Sequence, residues 1–117
     1  MAIVVQAGCS ARSVTSAGEV ALLSIDGTTY PTAGVALANS VRFTVCVTTT
    51  QDVTVRVYLA GGNNAGLAIV TGWTVVTTSS APYTLQVDGN AAQRVYVTAQ
   101  ASSTTAAVNC DLRAVSP

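Results

Sequence analysis

Along residues 40–49, Val41, Phe43, Val45 and Val47 alternate with Arg42, Thr44, Cys46 and Thr48. Period two sends successive side chains to opposite faces of a strand. One face of this segment is therefore apolar and the other polar. Residues 53–60 repeat the pattern, with Val53, Val55, Val57 and Leu59 set against Thr54, Arg56 and Tyr58. The intervening Thr49-Thr50-Gln51-Asp52 is short and polar, so the two segments read as an antiparallel hairpin. A second hairpin is expected further on. Tyr83, Leu85 and Val87 alternate with Thr84, Gln86 and Asp88, and Val95 and Val97 alternate with Arg94, Tyr96 and Thr98. Between them, Asp88-Gly89-Asn90 supplies residues that tolerate positive φ.

Weaker strand patterns cover residues 19–25, 28–30, 67–76 and 107–115. Gly72, inside the third of these and next to Trp73, marks a bulge or a close backbone approach. Trp73 is expected to plug the core there. Residues 61–64, 79–82 and 102–105 read as loops, and residues 36–39 as one helical turn at most. Short strands at turn spacings of roughly 8–12 residues indicate a sandwich or barrel. The expected fold is all-β: a single antiparallel β-sandwich, Ig-like or jelly-roll-like, with seven to nine strands. It occupies residues 1–117, with 1–14 as an extended N-terminal arm able to add a strand to a neighbour.

Composition sharpens this picture. Val (19), Ala (19), Thr (17) and Ser (10) dominate, and Val and Thr favour strands. Only 9% of residues are charged, the net charge is zero, and neither His nor Lys is present. Nucleophilic catalysis then lacks the His or Lys base that would take the nucleophile's proton. Five arginines balanced by five acids form no basic stripe, so neither nucleic acid nor an anionic membrane is an expected partner. A neutral surface also favours association over dispersal.

Other chemistry finds little support. Asp26, Asp52 and Asp88 fall in expected turns, where an Asp side chain bonds nearby backbone N–H groups. No CxxC or His cluster suggests a metal, and no cofactor is expected. The Gly-rich 61–66 segment has no Lys and no following helix to make a phosphate cradle. The three cysteines leave at least one without an intrachain partner. Either all three are thiols, or Cys46 and Cys110 bridge and Cys9 stays free.

Recognition is the remaining use of the surface. Tyr58 and Tyr96 fall on the polar sides of their strands beside Arg56 and Arg94, and Arg42 and Arg113 lie on polar strand sides too. Aromatic and Arg residues are enriched at interface hot spots, and Arg suits planar multi-donor contacts. These six residues are the candidate interface. The alternatives for the tyrosines are cross-strand packing and stacking on sugars.

In its size, Met start without a signal peptide, low charge and Val/Thr/Ala-rich strands, the chain resembles the small all-β bacteriophage virion proteins of the capsid-decoration type. The resemblance implies a non-enzymatic structural protein of the virion, made in the host cytoplasm. It would form a homo-oligomer, a trimer or other capsid-symmetric cluster, and bind a major capsid protein. Two other expectations stand beside it. One is a carbohydrate-binding or adhesion module presenting Trp73, Tyr58 or Tyr96 on one platform. The other is a subunit of an extracellular filament.

Overall fold

The computed structural model describes residues 3–23, 35–36, 42–60, 68–77, 82–88 and 94–116. Among them run nine strands: β1 (Ile3–Val14), β2 (Val20–Ala21), β3 (Val35–Ala36), β4 (Arg42–Thr49), β5 (Val53–Ala60), β6 (Ala68–Val76), β7 (Tyr83–Asp88), β8 (Arg94–Ala101) and β9 (Ala106–Val115). The first sheet has the order β1-β9-β4-β7, the second β2-β8-β5-β6, and β3 also pairs with β8. Every pairing is antiparallel.

The pairs are nested. The first strand pairs with the last, β2 with β8, β4 with β7, and β5 with β6. The chain is thus doubled back on itself, then rolled so that β9 lies beside β4 and β8 beside β5. This is the order of a double-sheet jelly roll. An Ig-like order would put the first strand beside the second.

Alternation dictates the core. The inward residues of β4 (Phe43, Val45, Val47) and of β5 (Val53, Val55, Val57) are fully buried, as are Val95, Val108 and Leu112. Each such side chain contributes roughly 1.5–3 kcal/mol when removed from water. The scarcity of aromatics is met by narrow Val and Ala layers, with Phe43 the largest fully buried side chain among the described residues.

Neither expected hairpin forms. β4 pairs with β7 and β9, whereas β5 pairs with β6 and β8. The link at residues 50–52 crosses between sheets, so the two apolar faces meet across the core rather than side by side. Ser102 N–H donates to the Asp52 carbonyl (3.0 Å), and Thr50 N–H to that of Ala107 (3.2 Å). These bonds fasten the crossing to the start of β9 and the end of β8. β7 and β8 likewise lie in different sheets. Period two specifies a face, and both arrangements satisfy it. Ala36, expected in a helical turn, is in β3 instead, opposite Arg94.

The segment expected to serve as an arm is the edge strand β1, held against β9 of the same chain. Its ladder breaks between Cys9 and Arg12, where Ser10 and Ala11 stand against Asn109. This is a β-bulge. Ala11 takes a positive φ of 50°. Its N–H donates to Asn109 Oδ1 (2.8 Å), and Asn109 Nδ2 donates to Thr48 Oγ1 (3.1 Å), which ties the bulge to β4. At Gly8 a Cβ would collide with the Cys110 carbonyl oxygen, so this close approach requires glycine. Another irregularity, in the β5–β6 ladder, sets Gly72 and Trp73 against Arg56, between the Val55–Thr74 and Val57–Thr71 pairs. The bulge expected at Gly72 is therefore present. The Trp73 side chain lies outside the described residues, as do residues 24–34 and 61–67.

Candidate functional site

The six candidate residues divide between the two outer faces. Arg42 and Arg113 belong to the first sheet. Arg56, Tyr58, Arg94 and Tyr96 belong to the second, on the neighbouring strands β5 and β8, with Tyr58 directly opposite Tyr96 and Ala60 opposite Arg94.

On the second sheet three of the outward side chains are covered, while Thr54, Arg56, Arg94 and Gln100 are half-buried. Tyr58 is 6% exposed, Tyr96 3% and Thr98 0%. The chain leaving β1 supplies part of the reason. Glu19 brings Oε1 to the Tyr58 hydroxyl (3.0 Å) and to Thr98 Oγ1 (2.9 Å), and both hydroxyls donate. Arg56 donates from Nη1 to the Tyr58 oxygen (2.9 Å), and its guanidinium carbon lies 5.7 Å from the Tyr58 ring centroid. Gln100 Nε2 donates to the Ser16 carbonyl (2.9 Å), holding the same crossing segment on β8. Desolvation raises the Tyr96 phenol above its ordinary pKa, and the Arg94 guanidinium opposes that rise.

The sequence placed both tyrosine rings outward, either for cross-strand packing or for contact with another molecule, and the two are cross-strand neighbours. They do point outward from the sheet, but the chain itself covers them. A ring this buried offers no face for a sugar or a protein to stack on, so the two tyrosines supply no carbohydrate platform. Glu19 was not among the candidates. The one available signal was its identity as the single glutamate of a charge-poor chain.

The outer face of the first sheet is open. Thr44, Cys46 and Thr48 on β4 are half-buried, while Thr84 and Gln86 on β7 and Asn109 on β9 are exposed. Its charges are few. Arg113 and Asp111 form an ion pair at 2.9 Å with side chains 54% and 46% exposed. Such an exposed pair contributes at most about 1 kcal/mol. Arg42 lies at the far end, opposite Val115 and Asp88. Beside the β1 bulge this face sinks into an open hollow of about 430 Å³, bordered by Cys9, Ser10, Cys46, Thr48, Asn109, Cys110 and Asp111.

Cys9, Cys46 and Cys110 are all free thiols. Cys46 pairs in register with Asp111, while Cys110 pairs with Val47, so the two cysteines face opposite sides of the sheet. That parity rules out the Cys46–Cys110 bridge. Desolvation holds the Cys9 thiol above its ordinary pKa, although Arg12 and the Cys110 backbone N–H both favour the thiolate. Cys110 is raised more strongly, by burial first and then by Cys9, Asp111 and Cys46. Neither is an activated nucleophile. Among the described residues no group of three or more His, Cys, Asp or Glu side chains could hold a metal ion. No protein-family model, curated protein or solved structure matches this chain.

Proposed function

We propose that the chain is a non-enzymatic structural subunit of a bacteriophage virion, of the capsid-decoration type. It assembles with copies of itself and seats on a major capsid protein. The observation that carries this reading is the open outer face of the first sheet. Thr44, Thr48, Thr84, Gln86 and Asn109 make its middle polar and uncharged, the charges of Asp111 and Arg113 cancel, and Arg42 stands at its far end. A face of this kind has hydrogen-bonding groups for a partner and little charge to keep copies apart. The jelly-roll order adds an analogy at the level of fold, since viral capsid and lectin domains use it.

The test is sedimentation of the purified chain over a wide concentration range, followed by co-sedimentation with phage shells lacking decoration. The expected result is a discrete oligomer that binds shells. Substituting Thr44 and Thr48 together by Glu should abolish both behaviours while leaving the circular-dichroism spectrum unchanged. A stable monomer at high concentration that ignores shells overturns the reading.

A further inference from the structure

We propose that Cys9 and Cys110 are a latent disulfide site, which closes within the folded chain when the protein meets an oxidising medium. Cys9 on β1 and Cys110 on β9 are direct partners in the antiparallel register. Direct partners lie on the same face with Cα atoms about 4.5–5.5 Å apart. Disulfides span Cα separations of about 4.4–6.8 Å. The inward orientation is shared: Cys110 belongs to the core, and Cys9 packs against it. Cys9 Sγ reaches the Val108 carbonyl at 3.6 Å, so its side chain leans along β9 rather than away from it.

Two further features favour closure. The β1 ladder breaks immediately after Cys9, so the strand can adjust there without disturbing a regular register. Cys9 is half-buried on an edge strand, beside the bulge where both cysteines border the hollow, so a small reagent reaches it from the open edge without unfolding the chain. Cys46 cannot compete, because its side chain faces the other side of the sheet.

With oxidised glutathione as the oxidant, the chemistry runs by thiol–disulfide exchange. Cys9 thiolate attacks one glutathione sulfur, the glutathione S–S bond breaks, and one reduced glutathione leaves. Cys110, as thiolate, then attacks Cys9 Sγ, the Cys9–glutathione bond breaks, and the second reduced glutathione leaves. The protein loses two protons and two electrons, and one glutathione disulfide becomes two thiols. In a reducing cytoplasm the pair stays open.

The position matters as much as the chemistry. β1 and β9 are the outermost of the nested pairs. A bond between them encloses all the others, and long closed loops constrain the unfolded chain most.

The arginine spacing makes the test direct. Cleavage after Arg12, Arg42, Arg56, Arg94 and Arg113 puts Cys9, Cys46 and Cys110 in three different peptides, 1–12, 43–56 and 95–113. The folded full-length protein is incubated with oxidised glutathione, alkylated, and digested without reduction. The expected result is a monomer lighter by two hydrogens, with peptides 1–12 and 95–113 linked and Cys46 alkylated. Its Tm should rise by about 10 °C, reversibly on adding dithiothreitol. Cys46→Ser should behave identically, and Cys110→Ser should stop at a glutathione adduct on Cys9. Full alkylation of Cys9 and Cys110 after prolonged exposure, a lasting adduct on wild-type Cys9, or a link through Cys46 each overturns the proposal.

Discussion

The outer faces of the two sheets start from the same pattern and end in different states. On β4, Thr44, Cys46 and Thr48 alternate with buried valines, and on β8, Tyr96 and Thr98 do the same. The first set lines an open face, while the second is 3% and 0% exposed. The difference comes from segments that alternation does not describe. Residues 15–19 leave β1, cross to the second sheet and place Glu19 on two hydroxyls. An outward position in a strand is a statement about the pleat. Whether it meets solvent depends on what the rest of the chain lays over it.

The sharpest way to break this contrast is to truncate one residue on each face. Tyr96→Ala should cost about 3 kcal/mol, as for other buried aromatics, whereas Thr48→Ala should stay within about 0.5 kcal/mol. Urea unfolding of both variants measures the difference, and equal costs would mean that the second face is as open as the first.

A smaller effect is expected at the cover itself. Glu19→Ala removes the shared acceptor of Tyr58 and Thr98, and leaving the buried Thr98 hydroxyl unsatisfied should cost about 1–2 kcal/mol. Amide exchange should quicken in β8 while β4 is unchanged. The same loss of protection in both strands would place the effect in the common core.

The smallest effect belongs to the edge of the open face. Ala11→Gly relieves a left-handed residue that costs an L-side chain about 1–2 kcal/mol, less the extra entropy glycine loses on folding. A net gain of about 0.5 kcal/mol is expected. A thermal melt showing a loss would point to a role for the alanine methyl in packing the bulge.

Much of the fold was legible in the residues. Alternation in 40–49, 53–60, 94–98 and 107–115 assigned each of these strands its buried face, and the choice of a sandwich followed. Gly72 announced its bulge. Partnership was not legible. Thr49-Thr50-Gln51-Asp52 has no glycine or asparagine to adopt the positive φ of a tight hairpin, and that absence was a usable hint of a crossing between sheets. Asp88-Gly89-Asn90 carried the opposite hint, yet β7 and β8 lie in different sheets. Asx and Gly residues permit a sharp turn without fixing which sheet the chain enters next.

The candidate site was legible by side but not by exposure. All six residues lie on the outward faces of their strands. The sequence offered nothing to show that Tyr58 and Tyr96 would be covered, because the cover is built from long-range bonds. Glu19 is 39 residues from Tyr58 and 79 from Thr98. The cysteines show the same boundary. Alternation already set Cys46 among the polar positions of 40–49 and Cys110 among the apolar positions of 107–115, so their opposite sides were legible; that Cys9 would stand opposite Cys110 was not.

The nested pairing also sets a timetable for synthesis. β5 and β6 are the one nested pair adjacent along the chain, so local closure begins in the middle. β1 leaves the ribosome first among these strands but must wait for β9, the last. At about 5–20 residues per second, the stretch between them takes on the order of 5–20 s to make. For that interval a twelve-residue, uncharged-to-weakly-basic strand has no partner of its own. Strands from neighbouring nascent chains are then its competitors, and the yield of folded protein becomes a question of how crowded the translating message is.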